Sequence, residues 1–464
     1  VPAVEATIFL AAILMMVLGL GLVFLIITRP LERLILLITR LVAPRMTYFA
    51  MRNVGRSNQR NTLISLLVLF SGVLPSFLAT QNAISNANIE TDVRLDMGAP
   101  IEMRVFTRFD QRDLAQLDWL KPSFLDTELS KIDGIDHVVG LTHDYTLQAS
   151  DAVGMRNGTI TIVGVTDDLN DVLFEDMIVF AAGGPESLTR IVTDDNGIII
   201  SEALSENLAV PLGGRIKVTG EGLDHTEEMT VVGIVRRLPG FNGFGRIRSQ
   251  AAGGSTAFVS LPAFHRLSTD PQFALPDNDS AALDRALASI NSTADVSQVD
   301  TDLRAEFGLR NRIWTRVAEV QLEQSRANQF QTQLLLLVLT LISFTTAVFG
   351  VFAVIYVTIY ARRIEIGMMK AVGTRNWELT GMLAIESIAM TLSAALAGII
   401  AGAVMGYAFA YVDNITAERP MLFAIDTTVM PFVVIMVVLA SIVGTIFSAR
   451  RIVKYRAVEI LRMS

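Results

Sequence analysis

Four histidines, a few adjacent acidic residues and no cysteine make up the sparse chemical inventory of this 464-residue chain. His137, His143, His225 and His265 form no i, i+4 helical pair and no metalloprotease signature; His137 and His143 can approach across strand structure, but they read as ordinary surface histidines. Without cysteine there is no disulfide, thiolate nucleophile or cysteine metal site. Asp167-Asp168 and Glu227-Glu228 have no positioned partner and read as helix caps and solvated turns. No Gly-x-x-x-x-Gly-Lys-Ser/Thr phosphate loop occurs, so the chain is not its own P-loop ATPase. The loop that begins Gly240-Phe-Asn-Gly-Phe-Gly lacks the strand-to-helix setting of a dinucleotide fingerprint; with Arg246 and Arg248 beside it, it reads as an exposed loop or a contact loop for a partner or lipid headgroup. No catalytic residue, bound cofactor or metal site is expected.

Charge is more informative where it is expensive. Arg362, Arg363, Glu365, Lys370 and Arg375 lie in a short basic segment between two long apolar runs, together with Ile366, Gly367, Ala371, Gly373 and Thr374. These charges are too costly for hydrocarbon, and their positive balance places the segment on the cytoplasmic side. Gly367 and Gly373 punctuate it, which suits a brief helix ended by glycine, with Trp377 at headgroup level. Glu386 follows, an intramembrane or interfacial acid for which pairing with the basic segment is the favoured reading. Gly398, Gly402 and Gly406 form a ridge of small residues that permits close helix contact, within the chain or at a dimer seam.

The elements that carry these residues follow from composition. A chain that is 51% hydrophobic, with mean hydropathy +0.47, is too apolar for an ordinary soluble protein of this length. Five apolar runs are long enough to span a bilayer: Thr7 to Ile27, Leu63 to Ala79, Leu334 to Val357, Leu379 to Val412 and Val429 to Ser448. Arginine and lysine cluster between the first two runs, between the third and fourth, and after the fifth. From Asn82 to Thr332 there are 37 acidic against 21 basic residues, a net charge of −16 within a chain of −8. The amino terminus and the acidic domain are therefore expected outside and the carboxyl terminus in the cytosol of a cell membrane.

The basic pattern Arg-Arg-x-Glu-Ile-Gly-x-x-Lys-Ala-x-Gly-Thr, with a glutamate some way into the next membrane helix, resembles the coupling segment of the FtsX-like permease family, which includes MacB-type exporters and lipoprotein-releasing permeases. The resemblance implies a cytosolic helix that docks on an ABC ATPase carried by another subunit, expected in two copies, with ATP and magnesium on that partner. It also implies a core of four membrane helices, here runs two to five, with a large outside domain between the first two. The first run is then surplus, and the chain looks like the second half of a long two-core permease, with a second core elsewhere. Residues 50–62 are similar to the basic elbow that opens such a core. Within the outside domain, Gly197 to Val218 and Val231 to Val235 resemble the periplasmic core domain of MacB-type permeases, where a strand and helix lead into a barrel-like pair of strands.

The expected fold is an α-helical transmembrane bundle of five spans, four of them an FtsX-like core, with a large α+β extracytoplasmic domain on a helical stalk. In segments, 1–28 is a linker membrane helix and 29–60 a cytosolic amphipathic and elbow region whose helix starts near Pro30 and stops at Pro44. Residues 61–81 span, 82–332 form the outside domain with its stalk, 333–360 span and 361–378 are the coupling segment. Residues 379–412 and 428–449 span, joined by an outside loop at 413–427, and 450–464 are a cytosolic tail. In the outside domain, strands are expected at Gly158–Val165, Gly197–Ser201, Arg215–Thr219, Met229–Arg236 and Thr256–Ser260, and helices at Asp167–Leu173, Glu202–Leu208 and Ala281–Ile290. Ile313, Val317 and Val320 keep helical spacing ahead of the third run, which reads as a stalk. The function expected is that of a permease subunit passing ATPase-driven motion to an outside domain that exports or extracts a lipid, lipoprotein, peptide or drug. The alternatives are a non-transporting regulator of an extracellular cell-wall hydrolase or other partner protein, and a membrane-anchored sensor. Membrane lipids are expected partners; nucleic acid is not.

Overall fold

The computed structural model describes residues 2–54, 58–105, 121–220, 226–241, 255–268, 283–307, 313–361, 363–417, 420–426 and 429–453. Of the positions singled out above, His225, Arg246, Arg248 and Arg362 lie outside them, as do residues 55–57 of the elbow. The chain divides into two compact units, one of Val1–Ala87, Gln329–Val412 and Leu422–Ser464, the other of Asn88–Asn328 and Asp413–Met421.

Three helices open the chain. α1 (Pro2–Val42) runs unbroken through Pro30, whose expected place was a first turn. A proline inside a helix forfeits one backbone hydrogen bond, a loss that neighbouring groups can offset. α2 (Pro44–Val54) places Pro44 at its first position, where the missing N–H costs nothing. α3 (Asn58–Met97) passes through Pro75 and carries on as a polar helix to Met97.

The second unit follows as β1 (Ile101–Val105), α4 (Pro122–Thr127), β2 (Ile135–Thr142), β3 (Tyr145–Asp151), β4 (Asn157–Val165), β5 (Val179–Ala182), α5 (Glu186–Thr193), β6 (Gly197–Ser201), α6 (Glu202–Leu208), β7 (Arg215–Gly220), β8 (Thr226–Arg237), β9 (Ser255–Ser260), α7 (Leu261–Leu267), β10 (Leu283–Ile290), α8 (Val296–Phe307) and β11 (Ile313–Val317). Hydrogen bonding runs β11-β1-β10-β2-β4-β3-β7-β8-β6-β9, and β9 pairs in parallel with β4, so the last six strands close into a ring. Closure removes their free edges. Side chains alternate across the wall: Ile160, Ile162, Ile198, Ile200, Val231, Ala257 and Val259 fill one core, while Val163, Val165, Ile199, Val232 and Phe258 face a second core with Leu188 and Ile191 of α5. Ser201 and Ser260 cap α6 and α7 by accepting from the N–H groups of Leu204 and Ala263, at 3.1 and 3.2 Å. The extension β11-β1-β10 buries Ile101, Met103, Ala286 and Ala288 against Leu125 of α4 and Val299, Leu303 and Phe307 of α8.

Three expectations fail here. Of Ala281–Ile290, expected as a helix, the described part Leu283–Ile290 is strand β10, paired with β1 on one side and β2 on the other. Its Leu283, Ala286, Leu287 and Ile290 repeat at helical spacing, but pairing with a strand on each edge makes this segment a central strand, and tertiary pairing decides. Asp167–Leu173 holds only a single 3-10 turn, Leu169–Asp171, which Asp168 caps. Ile313 and Val317 belong to β11, so the long helix begins at Ala318.

Four helices follow, mostly within the first unit: α9 (Ala318–Ala361), α10 (Arg363–Ala371), α11 (Asn376–Ala417) and α12 (Val429–Val453). Val68, Leu69 and Val73 of α3, Ile355 and Ile359 of α9, Leu379, Leu383 and Ala394 of α11 and Val433 and Val437 of α12 share one buried core. Outside it, α9 exposes Leu334, Leu335, Leu337, Val338, Leu341 and Ile342, and α12 exposes Ile435, Leu439, Val443 and Phe447. Such contiguous apolar exposure belongs in hydrocarbon. Among the described residues, Asn376–Val412 and Val429–Phe447 are long and apolar enough to cross a membrane.

Candidate functional site

The basic segment folds as the short helix α10, anchored through Ile366 with Met369 packed beside it. Ile366 is 1% exposed and joins the four-helix core with Ile355, Ile359 and Leu379; Gly367 beside it is buried mid-helix and ends nothing. Gly373 is the terminator. At φ +100° it lets its own N–H reach the carbonyl of Lys370 at 3.1 Å while the N–H of Thr374 reaches that of Met369 at 3.2 Å, the paired bonds of a Schellman turn. The next helix starts at once: the Arg375 N–H donates to Oε2 of Glu378 at 3.2 Å, the back half of a capping box. The guanidinium of Arg363 lies 4.7 Å from the ring centre of Tyr360. Glu365, Ala371 and Arg375 are exposed, as is Trp377, while Lys370 and Thr374 are half-buried.

One set of residues here went unnoticed in the sequence. Ile364, Met368 and Val372 recur at i, i+4 and i+8, and they are 44%, 51% and 89% exposed. With Ile366 turned into the core, α10 and the turn after it offer an apolar stripe with Glu365 on its border. Its four-residue spacing was the available signal, overshadowed by the charges. A short helix locked at both ends and showing such a stripe has the form of a docking peg.

The glycine ridge packs within the chain. A side chain at Gly398 would meet the Leu69 carbonyl and the Cα of Gly72, at Gly402 the Val73 carbonyl and Ser76, and at Gly406 the methyl of Thr80. The matching stripe on α3 is therefore Gly72, Ser76 and Thr80, again four residues apart. Ser76 donates to the Ile399 carbonyl at 2.8 Å and Gln81 to that of Gly406 at 3.0 Å. Two backbones at this separation gain dispersion contacts that lipid cannot supply.

Glu386 is 2% exposed on α11. Packing of Ile35 and Leu36 of α1 and Ala50 of α2 against Ala389 brings Glu32, flanked by Arg29 and Arg33, into its electrostatic reach. Of the two histidines that were candidates to approach each other, His137 is exposed on β2, whereas His143 is buried, edge-on to Phe264 and Tyr145. Among the described residues no group of three or more His, Asp or Glu could hold a metal ion.

Residues 337–457 match the family described as FtsX-like permease C-terminal. Residues 62–306, more than half of the chain, match the MacB-like periplasmic core domain. Among solved structures, the periplasmic region of MacB from Actinobacillus actinomycetemcomitans is 14% identical, with 50% of this chain and 95% of that one covered at a TM-score of 0.34. The extracellular domain of the noncanonic ABC-type transporter YknZ from Gram-positive bacteria is 16% identical, with 47% and 98% covered at a TM-score of 0.31. No curated protein matches. With a MacB-like core domain over most of its second unit and an FtsX-like segment over its last four helices, the chain belongs to the MacB/FtsX-like family of membrane-embedded ABC-transporter permeases.

Proposed function

We propose that the chain transmits motion: an ATPase subunit docks on α10, ATP binding shifts that helix with α9 and α11, and the outside domain moves to export or extract a lipid, lipoprotein, peptide or drug. ATP and magnesium are held by the partner, two copies per complex, and a second permease core completes the membrane part. In this reading the amino terminus lies outside and the carboxyl terminus in the cytosol. The observation that carries the proposal is the peg. Ile366 ties α10 to the core of four helices, so a push on Ile364, Met368 and Val372 is delivered to α3, α9, α11 and α12 together. A buried anchor beneath an exposed stripe is what rigid coupling requires.

The test is purification of the native complex in mild detergent, with mass spectrometry of what accompanies it. A stoichiometric P-loop ATPase is expected with the unaltered chain. Met368→Glu, or Glu365→Ala with Lys370→Ala, should lower its recovery about tenfold or more, a loss of roughly 1.4 kcal/mol. Unchanged recovery with both variants would remove α10 from the docking site. Stimulation of the ATPase by candidate cargo in liposomes then separates transport from regulation of an extracellular hydrolase.

A further inference from the structure

On strand β1 of the second unit lies a carboxylate that transmission alone does not explain. Glu102, the second residue of β1, is fully buried. Its Oε1 is 2.6 Å from Nε of Arg104 and 2.7 Å from Nε of Arg285 on β10, and its Oε2 is 3.2 Å from Nη1 of Arg316 on β11. A lone buried carboxylate is very unfavourable, so these guanidinium groups are what make the position tolerable. Each of two arginines then reaches outward. Arg285 donates through Nη1 to the Gly240 carbonyl at 2.7 Å and through Nη2 to the Met97 carbonyl at 3.1 Å, and lies 4.9 Å from the ring centre of Phe241. Burial pulls it down to about 10, so it stays charged at neutral pH. Arg316 donates through Nη2 to Asp96 at 2.6 Å.

The segments so gathered are not neighbours in sequence. Asp96 and Met97 end α3, Gly240 and Phe241 follow β8, and β11 leads without a break into α9. Backbone bonds reinforce the same junction: Gly240 donates to Leu95 at 2.7 Å, and Ala318, the first residue of α9, donates to Pro100 at 2.8 Å. Gly98 and Gly240, both left-handed at φ +81° and +80°, press together so closely that a Cβ on Gly98 would come within 2.7 Å of the Gly240 Cα. No side chain fits there.

We infer that Glu102 with Arg285 and Arg316 is a charge clamp that fastens the end of α3, the start of α9 and the Gly240–Phe241 turn to the β11-β1-β10 strands, so that the three segments move as one. α3 and α9 are two of the helices in which the chain passes from one unit to the other. Their ends would therefore deliver one displacement to the domain, and the turn after β8 would share it. The inference rests on the transmission reading above, and Glu102, Arg285 and Arg316 act in it as positioning residues.

Hydrogen exchange on the full chain in lipid nanodiscs tests it, comparing the unaltered chain with Glu102→Gln and Arg285→Lys. Glu102→Gln should raise exchange tenfold or more over 95–100, 238–241 and 313–320 together, leaving 197–201 and 255–260 unchanged. Arg285→Lys keeps the charge but loses the fork, so it should release 95–98 and 240–241 and spare 313–320. A rise confined to 101–105, or one spread evenly over the domain, would overturn the clamp. If Glu102→Gln does not fold, Arg285→Lys and Asp96→Asn still decide: release of only the segment each touches supports the clamp, and no release overturns it. In the native complex, nucleotide should change exchange at 240–241 in the unaltered chain and not in Arg285→Lys. No change in the unaltered chain defeats transmission and leaves the clamp standing; a change that persists in the variant defeats the clamp alone.

Discussion

α3 and α11 meet where side chains are almost absent, Gly72, Ser76 and Thr80 against Gly398, Gly402 and Gly406. The strands of the second unit meet through large ones, Ile198, Ile200, Met229 and Phe258 among them, none more than 1% exposed. The difference follows from the solvent each unit faces. In hydrocarbon an aliphatic side chain gains little by leaving lipid, so close backbone approach and hydrogen bonds such as Ser76 to Ile399 provide the attraction. In water the removal of apolar surface dominates, at about 25 cal/mol per Å². One unit is specified by what is missing from its interface, the other by what fills it.

Emptying the filled unit should have the largest effect. Phe258 is fully buried and packs edge-on against Phe241, with ring centres 4.7 Å apart. Phe258→Ala should cost about 4 kcal/mol, from lost transfer energy and a cavity. All described strands lie in the second unit, so circular dichroism can follow their melting apart from that of the helices. The strand transition should fall while the helical one stays in place; a matching fall in both would break the comparison.

Filling the empty interface comes next. Gly402→Leu puts a side chain into the Val73 carbonyl and Ser76, with backbone on both sides and no cavity to take it. A cost of about 3 kcal/mol is expected, read as loss of helical signal in a detergent titration. The same change at Gly19, where a Cβ would meet nothing within 4 Å, should have no measurable effect. Equal tolerance at the two sites would mean that the ridge does not hold α3 to α11.

Legibility in the sequence followed the same division. The Gly398, Gly402, Gly406 ridge was visible because three glycines four apart stand out in an apolar run. Its mate was not, since Gly72, Ser76 and Thr80 are three different residue types interrupted by Pro75. Strands β6 to β9 were readable from β-branched runs between turns, down to the ends of Gly197–Ser201. β10 was misread because a central strand and a buried helix share one apolar pattern over eight residues, and only β1 and β2 on its flanks decide between them. The stripe Ile364, Met368, Val372 was hidden by neighbouring charges. The clamp around Glu102 was out of reach altogether, because Asp96, Glu102, Arg285 and Arg316 span more than two hundred residues and meet only through strand register.

The smallest effect sharpens the comparison inside the second unit, between two carboxylates of the same charged cluster. Glu102 on β1 has three guanidinium partners, so its amide should weaken the domain at neutral pH. Asp284 on β10 is different. Burial, as the largest influence, and repulsion from Asp144 push its carboxyl above the usual aspartate range, and the attraction of Arg104 and Arg285 does not offset them. A carboxyl raised in the folded state binds its proton more tightly there than in the unfolded chain. Its contribution to stability is therefore fully present below the ordinary aspartate value and is lost as pH rises through the folded-state value. At neutral pH the ionised group is a net cost, and Asp284→Asn should raise the strand melting transition slightly. Since the unaltered side chain is neutral in acid, the gain should shrink towards nothing as pH falls below the ordinary aspartate range. Melting curves of both chains across that interval check the sign: a benefit that grows in acid would show Asp284 to be a paired, stabilising carboxylate like Glu102.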